Sequence, residues 1–143
     1  MKVIQLSIFL ENKKGRLAEV TKVLGDNDVN IRALFIADTS DFGILRIIVD
    51  RPGEAYDILK NNEFTVSKNE VVAVKVPDEP GGLSKVLHTL DANDLNIEYL
   101  YCFVDKDLRA AIDIMRFDDI ERAVEVLQRE GIKLLSSAEL SNM

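Results

Sequence analysis

Apolar and polar residues alternate from the start of the chain. In residues 2–10, KVIQLSIFL, Ile4, Leu6, Ile8 and Leu10 share one face, and Gln5 and Ser7 the other. A period of two is that of a strand packed on one side. From Leu17 to Leu24 the period changes: Leu17, Val20, Val23 and Leu24 fall at helical spacing with Glu19 and Lys22 outside. This helix is predicted to stop near Gly25, where Asp26, Asn27 and Asp28 supply turn chemistry. Val29 to Ala37, rich in β-branched and aromatic residues, reads as a second strand, Asp38 to Gly43 as a turn, and Ile44 to Val49 as a third strand. Pro52 suits the first turn of a helix carrying Ala55, Ile58 and Leu59 inward, and Phe64 to Val66 forms a short fourth strand. The order is βαββαβ.

The second half says the same again. Gly15-Arg16-Leu17 returns 66 positions on (15 to 81) as Gly81-Gly82-Leu83. At that offset Val20, Leu24, Ile31 and Leu34 become Val86, Leu90, Ile97 and Leu100, while Asn27-Asp28 becomes Asn93-Asp94 and Asn30 becomes Asn96. One constant offset across glycine, asparagine and core positions indicates an internal duplication. The second unit is predicted as strand Val71–Val76, helix Leu83–Leu90, strand Leu95–Val104, strand Leu108–Met115, helix Asp118–Arg129 and strand Ile132–Leu135. Residues 67–70 form the linker, the domains are 1–68 and 69–143, and the tail from Ser136 extends an edge or frays. The fold class is α+β: two ferredoxin-like βαββαβ units in tandem, each a four-stranded antiparallel sheet with both helices on one face. Strand 96–104 carries Ile97, Tyr99, Tyr101 and Phe103 on one side and Leu100, Cys102 and Val104 on the other. Both faces are therefore expected to be covered, most simply by a second copy in a homodimer.

Composition narrows the partners. With 47% hydrophobic and 30% charged residues the chain is globular, and no stretch approaches the roughly 20 apolar residues of a membrane span. A net charge of −7 speaks against nucleic acid, and less strongly against anionic membrane surfaces. Met1-Lys2 leads directly into strand-like sequence without a secretory pattern, and the single cysteine, Cys102, has no internal disulfide partner. The expected location is cytoplasmic. With one His and one Cys, neither a metal site of N/S type nor a nucleophile with base and orienting group can be assembled, so no enzyme activity, catalytic residue, metal or cofactor is expected. His88 aligns with the outward Lys22, Cys102 reads as packing, and Asp118, Asp119 and Glu121 suit the positive end of a helix.

The candidate chemistry lies at the two glycine loops. First-turn N–H groups at Gly15 to Ala18 and Gly81 to Ser84 lack intrahelical partners and suit a carboxylate, and glycine lets a ligand approach the backbone. Asn12, Asp78, Asn30 and Asn96 offer acceptors for an ammonium group. Each has a structural reading as well: Gly15 and Gly81 as tight turns, Asn30 and Asn96 as turn residues, Asp78 as a charge at a helix start.

With this duplicated order and the loop Glu11-Asn12-Lys13-Lys14-Gly15-Arg16-Leu17, nearly the whole chain resembles the ACT-domain family of amino-acid-sensing modules. The first repeat is most similar to the regulatory domain of serine-inhibited phosphoglycerate dehydrogenases, through Asn12 before Gly15 and Asn30 in Val29-Asn30-Ile31; the second has Asp78 in place of the loop Asn but keeps Asn96. The resemblance implies two domains side by side, their second strands joined into one eight-stranded antiparallel sheet. It also implies amino-acid sites at the interface, between the glycine loop of one domain and the second strand of its neighbour. Asn12 would pair with Asn96 and Asp78 with Asn30, and Lys14, Gly15, Arg16 and Leu17, with Pro80, Gly81, Gly82 and Leu83, would line the loops. The implied function is a non-catalytic regulatory protein acting on an enzyme or other partner or through its own oligomer. The alternative is an interaction or regulatory subunit of the same fold without a small ligand. The Gly-rich, arginine-terminated loop of acylphosphatases and the basic-aromatic strand motif of RNA-recognition modules are both missing.

Overall fold

The computed structural model describes residues 1–38, 42–105, 107 and 109–143. Its elements are β1 (Val3–Glu11), α1 (Arg16–Asp26), β2 (Ile31–Asp38), β3 (Phe42–Val49), α2 (Pro52–Asn61), β4 (Thr65–Pro77), α3 (Gly82–Ala92), β5 (Ile97–Asp105), β6 (Ala110–Phe117), α4 (Ile120–Arg129), β7 (Leu134–Leu135) and α5 (Ser137–Ser141). Residues 39–41 of the predicted turn, and Leu108, where a strand was expected to begin, lie outside the described residues. The chain forms two compact units: Ile4–Asn69 with Leu140–Met143, and Glu70–Glu139 with Met1–Val3.

The architecture is α+β, but with seven strands among the described residues where eight were expected. The strands predicted at 64–66 and 71–76 are one continuous strand, β4, so residues 67–70, within which one unit gives way to the other at Asn69 and Glu70, are extended strand. Their polar composition misleads because a paired strand obtains its backbone hydrogen bonds from its neighbours whatever side chains it carries. The tail also departs from expectation, coiling into the short helix α5 with Leu140 buried.

In the first unit the strand order is β2-β3-β1-β4, with Leu6 opposite Ile47 and Leu34 opposite the same Ile47. Leu6, Ile8 and Leu10 of β1 meet Leu45, Ile47 and Val49 of β3, Val20 and Leu24 of α1, and Ala55 and Leu59 of α2 in one core. Both helices thus cover the face that the period of two predicts. α1 continues through Gly25 to Asp26, and the turn follows it. The second unit repeats the plan: β6 lies between β4 and β5, β7 pairs with β4, and Val72, Val74 and Val76 pack with Val86 and Leu90 of α3 and Val126 and Leu127 of α4.

The faces turned away from the helices are covered too. Val71 and Ala73, which alternate with the core valines of β4, and Ile112 and Ile114 of β6 are fully buried. Tyr101 is buried as well, in keeping with packing rather than stacking on bases. On the same face of the first unit Gln5 and Ser7, expected to be outward, are buried. The Ser7 hydroxyl donates to Asn69 and accepts from Arg46 Nη1 at 3.0 Å, so these polar groups keep hydrogen bonds despite leaving water.

Asp113 is the buried carboxyl of the second unit, opposite Val74 on β4 and Cys102 on β5. Burial raises its pKa above the usual carboxylate value, and the hydrogen bond with Cys102 opposes that shift. Desolvation, then Asp113, push the Cys102 thiol up in turn. Cys102 itself is exposed, so its expected packing role is not met. Because the folded pKa of Asp113 lies above the unfolded one, the folded state holds the proton longer, and stability is lost as pH rises through the folded pKa. Asp113→Asn is expected to raise the thermal midpoint at neutral pH and to leave it nearly unchanged near pH 4, as thermal unfolding followed by circular dichroism at both pH values will show. An equal shift at both would assign the effect to packing.

Candidate functional site

The two glycine loops are built bond for bond alike. Lys13 N–H donates to Glu11 O at 2.7 Å, Arg16 N–H to Lys13 O at 3.3 Å and Glu19 N–H to Gly15 O at 2.9 Å. At the aligned positions Glu79 donates to Pro77 O at 2.9 Å, Gly82 to Glu79 O at 3.0 Å and Lys85 to Gly81 O at 3.1 Å. Gly15 at φ +90 and Gly81 at φ +85 are both left-handed, the region that glycine enters without steric cost. A Cβ at either would meet open space, so it is the backbone conformation that calls for glycine.

Neither α1 nor α3 has a side-chain cap, whereas Asp119 caps α4 by accepting from Arg122 N–H at 3.2 Å. The first-turn N–H groups of Leu17 and Ala18, and of Leu83 and Ser84, are thus left without a protein acceptor among the described residues. They lie at the positive end of each helix dipole, a ready site for a carboxylate.

Around the first loop Asn12, Arg16 and Leu17 come together with Glu11, Lys13, Ile36 and Gly43 about a cleft of about 300 Å³. Glu11 pairs with Lys13 at 2.8 Å and Arg16 at 3.7 Å; Lys13 first, and Arg16 after it, hold the Glu11 carboxyl below its usual range. Lys14 and Gly15 are exposed outside that lining. In the second loop Asp78, Pro80, Gly81 and Leu83 are exposed, while Gly82 is buried against the end of β4.

The asparagines are placed differently. Asn30 precedes β2, its N–H donating to Asp50 Oδ1 at 3.0 Å and its carbonyl accepting from Asp50 N–H at 3.1 Å. Its backbone is therefore joined to the residue that follows β3, and its side chain is exposed. Ile36, not Asn30, is the β2 residue beside the first loop, and six residues of strand amount to about 20 Å. Within its own unit the loop and Asn30 are thus not brought together; Asn96 is likewise exposed just before β5. Ile36 and Gly43 were not read as site residues in the sequence, because only strand register puts Gly43 opposite Leu10, and only packing sets the Ile36 side chain against Gly43. His88 is exposed, with Nδ1 2.8 Å from Ser84 O. Among the described residues no three His, Cys, Asp or Glu side chains gather as a metal site.

A family model described as an ACT domain pair matches residues 1–143. The chain belongs to that family. A crystal structure of a protein from Bacteroides thetaiotaomicron superposes on this ACT domain pair with a TM-score of 0.95 at 44% identity, over 100% of this chain and 98% of that one. The ligand-free regulatory subunit of aspartate kinase from Thermus thermophilus matches at TM-score 0.63 and 15% identity, over 88% of this chain and 91% of that one. Its counterpart from Thermus flavus matches at 0.60 and 13%, over 98% and 92%. At these identities the two Thermus proteins share the fold. No curated protein matches the chain.

Proposed function

We propose that this ACT domain pair is a non-catalytic regulatory protein that binds an amino acid at its glycine loops. The observation that carries the reading is the pair of matched loops, each ending in a left-handed glycine and an uncapped helix start. A carboxylate takes the free N–H groups of Leu17 and Ala18 or of Leu83 and Ser84. Asn12 or Asp78 accepts from the ammonium group, and the second strand of a neighbouring ACT module completes the pocket with Asn96 or Asn30. The signal passes to an enzyme or other regulatory partner, the role named for the Thermus proteins of the same fold. We place the protein in the cytoplasm; among the described residues no helix is long and apolar enough to cross a membrane. A thermal-shift screen of the common amino acids tests the reading, because a ligand bound only by the folded state raises the midpoint. If no amino acid shifts it, the fold serves protein contacts instead.

The homodimer rests on β2 rather than on the covered faces. Leu34 and Ile36 on this edge strand are 51% and 43% exposed, beside the exposed Leu17. The second strands of the two units, expected to join, are not paired with each other, β2 pairing with β3 and β5 with β6, and an apolar stripe on an open edge favours pairing with another copy. Sedimentation is expected to give a dimer at micromolar concentration and a monomer for the double variant Leu34→Asp, Ile36→Asp. A monomeric wild type removes the dimer.

A further inference from the structure

The duplication supplies its own comparison: both units have a cleft at the same place, but with opposite charge. In the first unit it lies between the glycine loop, the start of α1 and the turn from α2 to β4, measures about 290 Å³, and has Glu11, Arg16, Glu19 and Glu63 as its charged walls. Arg16 is engaged with Glu19 at 3.1 Å and Glu11 at 3.7 Å, so carboxylates dominate. The turns correspond closely. Phe64 N–H donates to Leu59 O at 3.0 Å and Ile132 N–H to Leu127 O at 2.9 Å, and the residues before them, Glu63 and Gly131, both have positive φ.

In the second unit the cleft measures about 620 Å³. Gly82 stands where Arg16 fills the first, Lys85 replaces Glu19, Gly131 replaces Glu63 and Lys133 replaces Thr65. Lys75 and Arg109 join them, so four cations line a hollow floored by Val86, Ala110 and Ile132. No ion pair links any of the four to a carboxylate among the described residues, and of the two acidic residues on the rim, Glu130 is already beside Arg129 at 3.5 Å. Like charges gathered in a concave surface focus a positive potential. In a chain of net charge −7 that concentration is local, set against the general field. The volume falls in the range of small-molecule sites, and the apolar floor suits an organic body.

We propose that this cleft binds a small organic polyanion, bearing phosphate groups or several carboxylates; it adjoins the second glycine loop through Glu79 and Gly82 but does not rest on the amino-acid reading. Pyrophosphate and citrate serve as probes, titrated calorimetrically at low ionic strength into wild type, the double variant Lys85→Gln, Lys133→Gln, and Lys22→Gln, whose lysine is 74% exposed on α1 and outside this cleft. Wild type is expected to take up one equivalent per chain with a dissociation constant below about 1 mM, and the double variant to lose affinity at least about tenfold. Lys22→Gln should bind as wild type does, and added salt should weaken binding throughout. Saturation by one probe alone supports the site and tells phosphate from carboxylate recognition. Three results overturn the proposal: no saturation with either probe, a double variant that binds as wild type does, or a loss in Lys22→Gln equal to that of the double variant. The substituted lysines are exposed, so unchanged circular dichroism is expected and separates loss of binding from loss of fold.

Discussion

Replacing Asn12 or Asp78 by alanine is expected to weaken binding of the amino acid found by thermal-shift screening ten- to a hundredfold at the affected loop. A hydrogen bond to a charged group is worth roughly 1.5–3 kcal/mol, which is on the order of that ratio in affinity. Both side chains are exposed, so little of the fold depends on them. Asp78→Asn should cost less than Asp78→Ala, because the amide keeps an acceptor oxygen while giving up the charge. Of the four acceptors Asn12, Asn30, Asn96 and Asp78 only Asp78 is charged, and the bases Lys13, Lys14 and Arg16 stand on the first loop alone, so the Asp78 site should hold an ammonium group more tightly and lose more of its affinity in high salt. Calorimetric titration of wild type and the three variants measures this. Wild-type affinity in all three, with the fold intact, would make these loop residues structural and move the pocket elsewhere.

Much of the architecture was legible in the sequence because it is local. The period of two placed Leu6, Ile8 and Leu10 on the helix-covered face, and helical spacing placed Val20 and Leu24 against them. The offset repeat paired Gly15 with Gly81, and both are left-handed; Gly131, which it did not single out, is left-handed as well. What the sequence hid is what pairing supplies. Ser67 to Glu70 look like a structureless linker, yet they are extended strand in β4, and Asn69 meets Ser7 on the neighbouring strand β1. Gly43 reaches the loop only through its register opposite Leu10, and Ile36 through its side chain beside Gly43. The basic cleft is a further case: Lys75, Lys85, Arg109 and Lys133 are scattered along the chain, and no spacing rule gathers them. Cys102, read as packing from an apolar strand, is exposed, while its neighbour Tyr101 on the same strand is buried.

Gly82→Ala is expected to destabilise the protein more than either Gly15→Ala or Gly81→Ala, for a different physical reason. At Gly15 and Gly81 the added methyl finds open space, and the cost is the left-handed backbone, about 1–2 kcal/mol each. At Gly82 the methyl would stand 2.3 Å from Pro77 O and 3.4 Å from Val76 Cγ1. The first of these is backbone, which cannot turn aside as a side chain can, so the end of β4 and the start of α3 must separate, at a cost of about 1–3 kcal/mol or more. The first loop carries Arg16 at the aligned position, so its strand end and helix start already leave room for a Cβ. Arg16→Gly should therefore cost no more than about 1 kcal/mol, the ordinary glycine penalty at a helix position. Urea unfolding of the four variants, read as midpoints at constant slope, checks the order. Because the separation would displace the free N–H groups of Leu83 and Ser84, Gly82→Ala should also weaken amino-acid binding at the second loop while sparing the first. A Gly82→Ala protein as stable as wild type would show that the approach of β4 to α3 relaxes freely, and both the stability ranking and the loss at the second loop would fail together.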